Sequence, residues 1–250
     1  MNRIRTTLWI CTAFLASIAT VAVARTTWAY YDAAPGLSTA IVLTETGGSA
    51  TEDAVQLRLY DDTGELISES VHHLASYRST AVFVNDLLPE SDKSMWGLVE
   101  IETDLRIQVG VWVGTGNGWL FVENYGEAYT PPPDITAGSY LYGLNYANTA
   151  GRRTTVTLLN PHDRLAFSTL WMHDANGVLQ YHIQLPLAAR RPVYVDLEEV
   201  YPVGKDVWGT IRVDVDRPIL LVCGYFDADG YLIDVDVVDR PYGIGLRNPE

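Results

Sequence analysis

Two sets of residues in this chain have types and spacings that could bind something. The first is acidic. Asp214 and Asp216 share one face of an extended stretch, and Asp234 and Asp236 share a face of another. Asp227, Asp229 and Asp239 lie near them in sequence. A calcium ion needs six to eight oxygens about one centre, and Asp227-x-Asp229-Gly230 begins like a calcium loop. It lacks the downstream Glu of an EF-hand and falls between strands. Asp227, Asp229, Asp234 and Asp236 are therefore candidate calcium ligands, set against a plainer reading as a solvated acidic face beside a hairpin turn. The second set is aromatic. Trp112, Trp119, Tyr125, Tyr129, Tyr140, Tyr142 and Tyr146 crowd the middle of the chain, with Asn117, Asn124 and Asn145 among them. Ring faces stack on sugars and amides bond hydroxyls. Trp112, Asn117, Trp119, Asn124, Tyr125, Tyr129, Tyr140 and Tyr142 are thus a candidate carbohydrate platform. The plainer reading places Trp96 and Trp208 in cores. The tyrosines then pack a core or a domain interface, where an amphipathic ring suits a half-wet surface.

Catalytic patterns are missing from the sequence. The histidines His72, His73, His162, His173 and His182 show no His-x-His or His-Glu-x-x-His spacing, so zinc has no motif. Adjacent His72 and His73 on a strand point to opposite faces. Simple symmetry about residues 174–177 places His173 near Val178 and His182 near Thr169. There is no Gly-x-Ser-x-Gly elbow. Paired carboxylates for glycoside hydrolysis meet in space rather than in sequence, and a domain of roughly 100 residues is small for that work. Cys223 lies inside the apolar run Ile219–Cys223, as a small buried hydrophobe does. The expectation is a protein that is not an enzyme.

The elements that must carry these residues follow a leader. Arg3 and Arg5 precede an uncharged apolar stretch from Thr6 to Ala24, and Ala22-Val23-Ala24 is a small-x-small cleavage site. Residues 1–24 read as a signal peptide or an uncleaved signal-anchor, the latter being the one route to a membrane. Either fate makes the remainder secreted, periplasmic or displayed at the cell surface. The net charge is −14 over 250 residues. That balance argues against nucleic acid or anionic lipid as partner, because both need a positive footprint.

After residue 27 the pattern is strand upon strand. Val55, Leu57 and Leu59 alternate with Gln56, Arg58 and Tyr60, and Ile211, Val213 and Val215 alternate with Arg212, Asp214 and Asp216. Period two with β-branched residues marks half-buried antiparallel strands. Only Leu197–Val200 suggests a helical turn. The chain is also written twice. Trp96-Gly97 recurs as Trp208-Gly209, Gly118-Trp119-Leu120 as Gly230-Tyr231-Leu232, and Asp61–Gly64 as Asp174–Gly177. Asp-x-x-Gly at 61–64, 174–177 and 227–230 sits between strands, where Asp bonds the local backbone and Gly supplies positive φ. The expected fold is all-β: two tandem antiparallel β-sandwiches of immunoglobulin-like type with about seven strands each. Copy one spans 26–129, a Pro-rich linker 130–136 and copy two 137–244.

Copy two carries a longer string: Leu158-Leu159-Asn160-Pro161, the Asp174–Gly177 turn, Leu185-Pro186, Arg190-Arg191, Val193–Leu197, then Val213–Ile219. This order resembles the sandwich domain of the sensory rhodopsin transducer family, and sandwich repeats of exported bacterial proteins. In copy one Leu74, Arg78, Asn85-Asp86-Leu87 and Asp104 hold comparable places, with Arg106 where copy two has Pro218. The resemblance implies a sandwich fold, a binding or assembly role and self-association. It carries over no site residues. The function expected is a non-enzymatic envelope protein acting by protein assembly or adhesion, with a carbohydrate-binding module, with or without calcium, as one alternative and a small hydrolase as another. Its partner is an envelope or extracellular protein, a second copy of itself, or a polysaccharide.

Overall fold

The structure, a computed structural model, describes residues 25–49, 52–89, 95–115, 118–125, 138–149, 151–200, 206–238 and 243–246. The expected signal segment and the Pro-rich linker lie outside these residues. Copy one runs β1 (Arg25–Asp32), β2 (Ser38–Glu45), β3 (Asp53–Tyr60), β4 (Leu66–Leu74), β5 (Ser79–Phe83), α1 (Val84–Leu87), β6 (Trp96–Thr103), β7 (Ile107–Thr115) and β8 (Gly118–Tyr125). Copy two runs β9 (Gly138–Thr149), β10 (Arg153–Leu159), β11 (Ala166–Asp174), β12 (Leu179–Leu187), β13 (Pro192–Asp196), α2 (Leu197–Val200), β14 (Asp206–Val215), β15 (Leu220–Phe226), β16 (Leu232–Val238) and β17 (Gly243–Leu246).

The duplication is a duplication of topology. Sheet I of copy one has the order β1-β6-β3-β4 and sheet II the order β5-β2-β7-β8. Copy two repeats both as sheet III, β12-β11-β14-β9, extended by β17, and sheet IV, β13-β10-β15-β16. All pairings between these strands are antiparallel. The sandwich class holds, with eight strands in copy one and nine in copy two among the described residues, where about seven each were expected.

Two glycines show why the short repeat motifs exist. A Cβ at Gly97 would overlap the Tyr60 carbonyl oxygen, and one at Gly209 would overlap that of His173. At the matching place in each copy the backbone passes too close for any side chain. The three Asp-x-x-Gly turns also behave alike. Asp61 Oδ1 accepts from the N–H groups of Thr63 and Glu65, Asp174 Oδ1 from Asn176 and Val178, and Asp227 Oδ1 from Asp229 and Tyr231. Gly64, Gly177 and Gly230 take φ values of 84°, 77° and 85°. The second of these turns corrects the sequence register. The Asp174 N–H donates to Val178 O and a bulge follows Met172, so His173 pairs with Leu179 and His182 with Trp171.

Alternation builds each core. Val55, Leu57, Leu59, Leu98 and Ile101 fill copy one, and Val156, Leu158, Leu170, Ile211 and Val213 fill copy two. Sheet IV departs from the half-buried rule, because β10 is buried on both faces. Its inward residues Val156 and Leu158 join the core of copy two. On its other face, Leu159 joins Leu220, Val222 and Val235 in one cluster with the core of copy one. The two sandwiches are therefore fused through the outer face of sheet IV. Around that patch Trp96 meets Tyr194 edge to face at 6.1 Å, and the Arg190 guanidinium lies 5.2 Å over the Tyr60 ring. Arg191 Nε donates to the Asp62 carbonyl oxygen at 3.1 Å.

A buried polar side chain fixes the loop that makes these contacts. Asn160 ends β10, fully buried. Its amide donates to the carbonyl oxygens of Arg164, Leu187 and Ala188, and its Oδ1 accepts from the His162 N–H. In copy one Glu45 does the same work at the end of β2, its carboxylate accepting from the N–H groups of Gly47, Gly48 and Tyr77. Tyr77 and Arg190 occupy matching places and share a left-handed φ of 53°.

Candidate functional site

The outer face of sheet II carries exposed aromatic side chains, while the corresponding face of sheet IV is buried against copy one. Phe83 on β5, Ala40 on β2 and Trp112 on β7 lie in one cross-strand row, so their side chains leave the sheet on the same side. One step along, Gly114 of β7 faces Trp119 of β8. Gly114 has no side chain, and a Cβ there would approach the Trp119 ring to 3.0 Å, so the indole leans across the bare backbone. There it meets Phe83 edge to face, with ring centroids 6.0 Å apart. Small residues beneath large ones make the platform. Ala40 is buried, while Phe83, Trp112 and Trp119 keep 45%, 38% and 48% of their surface exposed. Contiguous apolar surface of this kind marks a place of contact. Trp112 and Trp119 are two of the sequence candidates, and the structure places both on this face. Phe83 is not among those candidates, because it comes from a distant strand and only the sheet order brings it there.

A second feature is a narrow cleft between the copies. Tyr30, Asp32, Leu37 and Val113 of copy one face Thr155, Thr157, Tyr194, Val222 and Phe226 of copy two. Tyr30 donates its phenol proton to Asp32 Oδ2 at 2.8 Å, and Asp32 Oδ1 accepts from the Ala34 N–H at 2.8 Å. Burial pushes the Asp32 carboxyl above its usual range, opposed by these two donors. Burial together with the neighbouring carboxylate drives the Tyr30 phenol well above its ordinary value, and burial raises Tyr194 also. Asp32 Oδ1 holds the β1–β2 turn and Oδ2 holds the Tyr30 phenol. That makes it a structural carboxylate at the junction.

The remaining candidates scatter. Tyr140 and Tyr142 are fully buried in the core of copy two, so their faces are closed to a sugar, which corrects the platform reading for these two. The cause is period two: with Leu144 and Tyr146 they form the inward row of β9. Asn117 and Tyr129 lie outside the described residues, as do the side chains of Asn124 and Tyr125, both on β8. Trp96 is half-buried against Tyr194, whereas Trp208 is 59% exposed, against the expectation that both are core.

The calcium reading is also corrected. Among the described residues no three His, Cys, Asp or Glu side chains come together as a metal site. Asp227 is occupied by its own turn, Asp234 Oδ1 accepts from the Val235 N–H, and Asp236 accepts from the Tyr225 hydroxyl. The histidines are dispersed as well. His162 bonds the Pro218 carbonyl oxygen, His72 bonds Ser70, and His182 stacks on Trp171. Cys223 is buried, and desolvation pushes its thiol up to about 12.

No protein-family model matches the chain, and no curated protein matches it. Among solved structures it is similar to a β-glucuronidase of Bacteroides uniformis at 11% identity and a TM-score of 0.19, covering 86% of this chain and 26% of that one. It is also similar to a glycosyl hydrolase family 2 member from Bacteroides cellulosilyticus at 14% identity and a TM-score of 0.18, covering 89% of this chain and 28% of that one. The chain thus spans about a quarter of the length of these structures.

Proposed function

We propose that this chain is a non-enzymatic, exported binding protein of the cell envelope that works through a sheet face, in protein assembly or adhesion. The observation that carries the reading is the exposed Phe83–Trp112–Trp119 row on the outer face of sheet II. The corresponding face of sheet IV, further along its strands at Leu159, Leu220 and Val222, docks on copy one inside the same molecule. Indoles on a flat sheet give large, rigid contact area at small entropic cost. The groups that could do chemistry are engaged elsewhere: Asp32 in a turn, Cys223 in a core, the turn aspartates in their own backbones.

Polysaccharide binding is the second reading, favoured by Trp112 and Trp119 lying exposed on one face, as ring stacking requires. Both are tested with the immobilised full chain. It is probed with soluble and insoluble polysaccharides, with and without calcium, and with a solubilised envelope fraction. The double variant Trp112→Ala/Trp119→Ala runs in parallel. Capture that the double variant loses supports the sheet-face reading, and the captured class decides between protein and sugar. Capture that it retains in full overturns both.

A further inference from the structure

The contact between the two copies is heterologous, made from different parts of each, and both of its halves recur unused. The donor half in copy one includes Trp96, Tyr60 and the Asp61–Gly64 turn, beside the cleft lined by Tyr30 and Asp32. A Cβ on Gly64 would come within 2.9 Å of the Ala189 carbonyl oxygen of copy two. The topological equivalents in copy two are Trp208, His173 and the Asp174–Gly177 turn. There Trp208 is exposed and a Cβ on Gly177 would meet nothing within 4 Å. The acceptor half in copy two is the Ala188–Arg191 loop with the outer face of sheet IV. Its equivalents in copy one are the Ala75–Arg78 loop, with Tyr77 at 73% exposure, and the outer face of sheet II. Arg78 stands where Arg191 reaches the Asp62 carbonyl oxygen, and Tyr77 where Arg190 covers Tyr60.

We propose that the chain associates with second copies of itself head to tail. Trp208 and the Asp174–Gly177 turn of one molecule dock on sheet II and the Tyr77 loop of the next. This repeats between molecules the contact that fuses the copies within one, and it rests on reading sheet II as a docking face. The pairing is chemically sensible residue by residue. Arg78 meets the Ala175 carbonyl as Arg191 meets that of Asp62, and Tyr77 covers His173 as Arg190 covers Tyr60. Among the described residues β17 pairs with Gly138–Leu141, at the far end of β9 from the residues beside Trp208. A heterologous contact of this kind generates open, linear assemblies. The intermolecular version is the weaker one, since Leu159, Leu220 and Val222 of sheet IV correspond to Thr44, Gln108 and Gly110 on sheet II. The association is therefore reversible and concentration-dependent, not constitutive.

The test is sedimentation velocity of the full chain in mild detergent over a wide concentration range. Two variants block opposite halves. Trp208→Glu changes an exposed donor residue, and Tyr77→Gly suits the left-handed backbone at the acceptor. Wild type is expected to grow past the dimer as concentration rises. Each variant alone should associate at least about tenfold more weakly. Their equimolar mixture should form dimers and stop there, because only one competent pair of faces remains. Wild type that stops at two molecules, or growth that survives either variant, overturns the proposal. A wild-type chain that stays monomeric, yet captures a ligand in a manner lost in Trp112→Ala/Trp119→Ala, overturns the head-to-tail contact and leaves the docking face standing. A chain that neither associates nor captures overturns both.

Discussion

Val222→Asp places a carboxylate in the junction between the copies. Val222 is 4% exposed on the outer face of sheet IV, among Leu159, Leu220 and Val235 at 0%, 5% and 7%. Burying an aliphatic side chain of this size contributes about 1.5–3 kcal/mol, so the four together contribute roughly 6–12 kcal/mol. That figure is an upper bound, because the unfolded chain already shields part of this surface. An uncompensated buried charge costs about 3–5 kcal/mol, and the lost valine adds its own share. The sum rivals the whole junction. The copies therefore part and hydrate the aspartate, leaving both inner cores intact. Urea unfolding followed by tryptophan fluorescence reads this directly, since Trp96 sits against Tyr194 across the junction. Wild type should unfold in one transition, because its two cores are coupled, and Val222→Asp in two. The matched control is Val42→Asp on sheet II, half-exposed where copy two has the buried Thr157. It should stay within about 1 kcal/mol of wild type. A single transition for Val222→Asp at the wild-type midpoint would refute the fused-core account.

Gly97→Ala and Gly209→Ala should each destabilise by about 3–5 kcal/mol, as both force a methyl into a backbone carbonyl. Gly177→Ala, with open space but positive φ, should cost only about 1–2 kcal/mol; equal midpoints for all three would contradict the close approach. The Glu45 carboxyl is held below its usual range, first by the Tyr77 N–H and then by those of Gly47, Gly48 and Ser49. Its lowered folded pKa means that its contribution is full above the ordinary carboxylate range and vanishes as pH falls through the folded value. The stability gap between wild type and Glu45→Gln should therefore close on acidification, and a gap that widens would be fatal to this assignment. Cys223, buried with its thiol pushed up to about 12, should resist alkylation at pH 8 until the chain unfolds; rapid labelling mapped to Cys223 rather than Cys11 in the native protein would show the site to be open.

The duplication, the three Asp turns and the helical turn at Leu197–Val200 were legible because backbone chemistry imposes them locally. Asp61, Asp174 and Asp227 bind N–H groups two and four residues on. What sequence could not supply was the neighbour of each face. Period two states that Tyr140, Tyr142 and Tyr146 share a side, not that this side is the core. It likewise cannot tell Trp96 from Trp208, whose local surroundings match while only the former has a second sandwich beside it. Phe83 joined the aromatic face through sheet order, a non-local property. The candidate metal ligands do not gather among the described residues for a related reason. Asp227, Asp234 and Asp236 accept from turn and strand partners, which spacing alone does not reveal.

On the proposed reading, sheet II of copy one is the face through which the protein acts. Ligand capture by wild type beside Trp112→Ala/Trp119→Ala, with unfolding midpoints recorded for both, decides it. Because these indoles lie half-exposed on an outer face, their removal should abolish capture and lower the midpoint while leaving the chain folded. Undiminished capture by the double variant, folded as wild type is, would contradict the account.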